Sequence, residues 1–99
     1  LTVDATQRRA WLDGCELDLT RTEFDFLAYL LAQKPRVVPH LELAQRVLGV
    51  DCMDERDAVD LLRRHIYNVR NKLADAGDGQ LIRTVRGIGY GVRADDGLG

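Results

Sequence analysis

The sequence predicts a small α+β fold: a short N-terminal antiparallel sheet, a three-helix core and a C-terminal β-hairpin. Three observations predict it. Over residues 57–73, Val59, Leu62, Ile66, Val69 and Leu73 recur at steps of three and four, which is one stripe of an α-helix. Upstream, Thr20-Arg21-Thr22-Glu23 forms a capping box that opens a second helical repeat. Downstream, two short β-prone runs flank the glycine-bearing turn Arg86-Gly87-Ile88-Gly89.

In chain order, residues 2–5 and 8–12 are expected as short strands. Asp13-Gly14 accommodates positive φ at both turn positions and favours a tight hairpin. Residues 15–19 alternate apolar and acidic, as a half-buried strand does. Trp11 is expected to pack on the helices behind this sheet. The first helix should run over residues 21–33, burying Phe24, Leu27, Ala28, Leu31 and Ala32 with Leu30 beside them. Lys34-Pro35 ends it, because proline disfavours helix at the residue before it. Val37-Val38 reads as an extended link. Pro39 suits the first turn of a second helix over residues 40–48, and Gly49 suits its stop. His40, at that helix start and without ligand-like neighbours, is expected to face solvent. Residues 49–54 form a loop, and Asp51 or Asp54 can cap the long helix that begins near Glu55 and continues to about residue 75 or 76. A turn-rich break follows, then strand 81–85, the glycine turn and returning strand 90–93. The whole reads as one domain, ordered over about 2–93, with 94–99 as a frayed tail.

Composition narrows the class. At 45% hydrophobic and 30% charged, the chain is expected to be globular. No apolar run is long enough to cross a bilayer, and nothing resembles a signal peptide. Cys15 and Cys52 are too few for a disulfide framework and have no metal-like spacing with His40 or His65. They are expected as reduced thiols, with no cofactor or metal bound. No nucleophile–base pair or phosphate-cradling loop appears, so an enzyme is not expected. Net charge is −2, but its distribution is uneven. Residues 1–55 hold six Lys/Arg against ten Asp/Glu, whereas residues 56–93 hold eight against four. The second half is basic where the long helix lies, which hints at an anionic partner.

At 100° per residue, the side of that helix opposite the apolar stripe carries Asp57, Asp60, Leu61, Arg64, Tyr67, Asn68 and Asn71, with Arg63, Arg70 and Lys72 on its flanks. Two helices, a longer third helix and a hairpin make a winged helix-turn-helix topology. That arrangement sets the third helix in a major groove and the hairpin tip near a minor groove.

The motifs also resemble a family. Leu81-Ile82-Arg83-Thr84-Val85-Arg86-Gly87-Ile88-Gly89-Tyr90 is similar to the wing of OmpR/PhoB-type effector domains of two-component response regulators. Leu19-Thr20-x-Thr22-Glu23-Phe24 resembles the start of their first helix, and Arg36-Val37-Val38 the link to their second. His65-Ile66-x-x-Val69-Arg70-x-Lys72-Leu73 resembles their recognition helix. The resemblance implies sequence-specific binding of double-stranded promoter DNA in the cytoplasm, as tandem dimers. It also implies a preceding receiver domain phosphorylated by a histidine kinase. The chain opens on Leu1 rather than Met, so a fragment of such a regulator is expected. The loop at about 49–54 is where such activators contact RNA polymerase.

Residue roles follow. Arg64, Asn68 and Asn71 are candidates for base edges, since Asn pairs with adenine and Arg with guanine. Arg63, Tyr67 and Arg70 are candidates for phosphates. Thr84 resembles the wing threonine that contacts phosphate. Arg86 suits the negative potential of a narrow minor groove. Tyr90 is expected in the core. The family often carries two arginines where Tyr67 and Asn68 stand, and a Trp where Leu48 stands. It also starts its third helix about one turn later. The missing arginines imply weaker non-specific affinity and a different sequence preference. The rival reading is a winged helix used mainly for protein–protein interaction, favoured by the negative net charge and disfavoured by the basic second half.

Overall fold

The computed structural model describes residues 2–50 and 54–93. Strands β1 (Thr2–Asp4), β2 (Arg9–Leu12) and β3 (Cys15–Glu16) form one antiparallel sheet in that order. Asp13 and Gly14 take φ of 51° and 82°, so the expected tight turn joins β2 to β3. β3 is shorter than the alternating run suggested. Leu17 still donates its N–H to Ala10 (2.8 Å), and the chain then turns toward the first helix. Trp11 does not enter the core. Ala10 and Leu12 are the buried pair of β2, and strand alternation sends Trp11 outward. There it lies under the Arg9 guanidinium, 5.1 Å from its ring centroid.

Helix α1 (Arg21–Gln33) opens with the complete capping box. The Glu23 N–H donates to Thr20 Oγ1 (3.2 Å), and the Thr20 N–H donates to Glu23 Oε1 (3.0 Å). Its buried arc is Glu23, Phe24, Phe26, Leu27 and Leu30. This corrects the expected face. Phe26 and Leu30 sit within the arc, whereas Ala32 falls on its far side and is exposed. Helix α2 (His40–Leu43) continues as a wider π-type turn, Ala44–Leu48, that Gly49 closes at φ 68°.

Helix α3 (Glu55–Asp75) is capped by Asp54, whose carboxylate accepts from the Asp57 N–H (2.8 Å). It buries Ala58, Leu62, Ile66, Val69 and Leu73, with Val59 half-buried at the margin of the stripe. Phe26 of α1 stacks on His65 of α3, with ring centroids 5.3 Å apart.

The hairpin is β5 (Ile82–Val85) and β6 (Gly89–Val92). It acquires a third strand, β4 (Val38–Pro39), where a link was expected, giving the order β4-β6-β5. Val38 pairs with Tyr90 and Pro39 with Gly89. This pairing corrects the solvent-facing expectation for His40. Its backbone N–H donates to the Ile88 carbonyl (3.1 Å), so the hairpin covers it. The side chain is buried, edge-on to Tyr90 at 5.6 Å, with Nδ1 3.5 Å from Glu55 Oε2.

A polar cluster joins α1 to α2. Tyr29 donates its hydroxyl to Glu42 Oε2 (2.6 Å), and Arg36 donates to both Glu42 oxygens (3.1 and 2.6 Å). The Arg36 and Tyr29 hydrogen bonds hold the Glu42 carboxyl at about 2, well below its ordinary 4.5. A depressed carboxyl stabilises the fold above the ordinary value and loses that contribution as pH falls from 4.5 to about 2. Solvent access around Arg36 screens the pair and keeps its contribution small. Glu42→Gln should therefore lower stability slightly at neutral pH and flatten the acid limb of the profile. Urea unfolding at neutral and acidic pH checks this, and an unchanged acid limb would remove Glu42 from the acid response.

Candidate nucleic-acid interface

The burial of one α3 stripe leaves the other side of the helix to solvent. Arg63, Arg64, Tyr67, Asn68 and Asn71 are all exposed there. Tyr67 is 64% exposed, which is unusual for a large aromatic side chain. Asp57 and Asp60 are exposed on the first turns of the helix.

The wing stands beside this helix. Thr84 and Arg86 are exposed on β5 and in the turn after it. Gly87 takes φ 78° in that turn, a conformation open to glycine at little cost. Ile88, which the sequence reading left unassigned, is 51% exposed next to them. Its turn position gave no signal, because an apolar residue in a hairpin tip is equally consistent with burial.

Two cations named on the flanks of α3 have partners inside the molecule. Arg70 is half-buried and donates from Nε and Nη2 to the Ile82 carbonyl (3.3 and 3.0 Å). Nη2 also donates to Thr84 Oγ1. Lys72 Nζ donates to Glu23 Oε1 (2.6 Å), tying α3 to the α1 capping box. Burial pushes the Glu23 carboxyl up, but the bonds from Lys72 and the Thr20 N–H outweigh it and hold the carboxyl below its ordinary range. Of the candidate residues, Arg63, Arg64, Tyr67, Asn68, Asn71, Thr84 and Arg86 are exposed, and Arg70 alone is not.

Residues 51–53 of the loop at 49–54 fall outside the described residues, which omit Leu1, 51–53 and 94–99; Cys52 and the expected tail lie there too. Cys15 is exposed with a free thiol. Among the described residues, no helix is long and apolar enough to cross a membrane. Among them, no three His, Cys, Asp or Glu side chains are placed to hold a metal ion.

A three-helix core with a hairpin packed beside its last helix defines the winged helix-turn-helix class. Within that class the chain belongs to the family of C-terminal domains of transcriptional regulatory proteins, the OmpR/PhoB type, whose model matches residues 14–92. It is 39% identical over 93 residues to the transcriptional regulatory protein PrrA of Mycobacterium tuberculosis, covering 94% of this chain and 39% of PrrA. The fold superimposes on the DNA-binding domain of CpxR from E. coli with a TM-score of 0.73 at 35% identity, covering 91% and 86% of the two chains. It also matches the Klebsiella pneumoniae RstA DNA-binding domain in complex with the RstA box, with a TM-score of 0.73 at 28% identity over 91% and 87%. The chain thus spans about two fifths of the curated relative. The family is one of transcription-regulator domains, not of enzymes.

Proposed function

We propose that this domain binds double-stranded promoter DNA sequence-specifically. In this reading α3 lies in the major groove and the wing reaches the minor groove. The observation that carries it is a single exposed surface. Arg64, Asn68 and Asn71 project from α3 opposite its buried stripe, and the wing bearing Thr84 and Arg86 is bonded to the flank of the same helix. Arg64, Asn68 and Asn71 would read base edges, and Arg63, Tyr67 and Thr84 would fix register on phosphates. Arg70 is the eighth candidate, placed at the junction of helix and wing. Arg86 would enter the minor groove.

The wider context is part of the same proposal. The domain is the output module of a cytoplasmic response regulator, preceded by a receiver domain that a histidine kinase phosphorylates. It occupies tandem half-sites as a dimer and touches RNA polymerase through the loop at about 49–54. The greater length of PrrA supports a further domain. The alternative, a winged helix that docks another protein, is favoured by the exposed Tyr67 and Ile88 and by the net charge of −2.

Selection of bound duplexes from a random pool, with wild type and Arg86→Ala in parallel, tests the proposal. A recurring half-site is expected, and Arg86→Ala should weaken binding by about 1–3 kcal/mol. Arg63, Arg64 and Arg86 are cations that would displace condensed counterions on entering the grooves, so log affinity should fall by up to about 3 per decade of salt. No enrichment at low salt, from this chain or from the intact phosphorylated regulator, would leave the protein-docking reading instead.

A further inference from the structure

One guanidinium ties three elements of the domain together. Arg70 leaves α3 and donates to the Ile82 carbonyl and the Thr84 hydroxyl of β5. Its Cζ stands 5.8 Å from the ring centroid of Tyr90 on β6. We propose that Arg70 is a positioning residue rather than a phosphate ligand: it fixes the angle between wing and recognition helix and orients the Thr84 hydroxyl. This rests on the DNA-binding reading above.

In the order β4-β6-β5, β5 is an edge strand, so carbonyls on its outer side have no strand partner. Arg70 satisfies one of them, at Ile82. The opposite edge of the hairpin is held by β4, through the Val38–Tyr90 pairing and the His40 bond to Ile88. The hairpin is thus held on both edges, by a strand on one side and by an arginine on the other. Lysine cannot replace this tie, because the bonds use a planar fork of donors and the ring contact uses a flat cation.

Thr84 supplies the second part. Its oxygen accepts from Arg70, so its one hydrogen must point away from the guanidinium. Thr84 is exposed, and that hydrogen is free to donate to a phosphate. Arg86 is two residues further along, at the end of the lever that Arg70 holds. A swing of Arg70 to a phosphate would abandon the Ile82 carbonyl, release Thr84 and loosen the wing, so it would weaken the contacts it was meant to join.

A double-mutant cycle on this chain, with the duplex selected by the wild type, separates the two roles. Arg70→Met keeps the aliphatic stem and removes the donors. It should lower affinity about tenfold without changing the salt slope, and its effect should shrink below about threefold in an Arg86→Ala background. Arg70→Lys should behave like Arg70→Met. A phosphate ligand would behave otherwise: the slope would drop by about 1, lysine would rescue, and the two losses would multiply. That pattern overturns the proposal. Amide exchange of the DNA-free protein gives an independent readout. Arg70→Met should accelerate exchange of the Ile88 N–H, which donates to the Val85 carbonyl (3.0 Å), while α3 stays protected, and unchanged exchange there also overturns it. If neither this chain nor the intact phosphorylated regulator binds a duplex, the DNA reading fails, and the exchange measurement alone decides whether Arg70 holds the wing.

Discussion

Replacing Gly89 with alanine should destabilise the domain by about 3 kcal/mol or more. A Cβ at Gly89 would stand 1.8 Å from the Val38 carbonyl oxygen and 2.9 Å from Pro39 Cα. Those atoms are backbone, so no side-chain rotation relieves the overlap. β4 would have to move away from β6, losing the pairing at Val38 and Pro39 and uncovering His40. Gly87→Ala is the control. Gly87 has a φ of 78° but nothing within 4 Å of an added Cβ, so it should cost only about 1 kcal/mol. Equilibrium urea unfolding of both variants measures the contrast. A loss at Gly89 no larger than that at Gly87 would mean that the two strands do not approach this closely.

Ile66→Ala should cost about 2–5 kcal/mol. Ile66 is 1% exposed at the centre of α3, between Leu62 and Val69, and its removal leaves a cavity that rigid neighbours cannot fill. Alanine's better helix propensity returns only a few tenths of a kcal/mol. The neighbouring residue makes the test sharp. Tyr67 projects to solvent, so Tyr67→Ala should change stability by about 0.5 kcal/mol or less while weakening duplex binding. If the two stability losses were equal, the buried and exposed faces of α3 would be misassigned, and the proposed reading surface with them.

The candidate site was legible in the sequence to the extent that a helix period decides it. The α3 stripe separates Ile66 from Tyr67 and Asn68 by angle alone, so the exposed face could be named from spacing. The wing was legible because glycines marked its turn. Arg70 was not, because a flank position at the border of the stripe does not say whether the side chain turns outward or inward. Its partners lie 12 and 14 residues further along, on a strand whose place beside α3 is a tertiary fact. Lys72 is a stronger case, since Glu23 is 49 residues away.

The same division runs through the fold. Short-range chemistry determined what the sequence could state by itself: the capping box, the Asp13-Gly14 turn, the ends of α1 and the amphipathic stripe of α3. Each of these depends on residues close together along the chain, so their pattern is visible without knowing which distant segment will pack on them. Only the tertiary structure decided that Val38–Pro39 becomes a strand, that His40 is covered and that Arg70 and Lys72 serve internal contacts. Those outcomes need two distant segments to meet, and a segment's own composition does not encode which neighbour will satisfy its open backbone groups or cover its side chains.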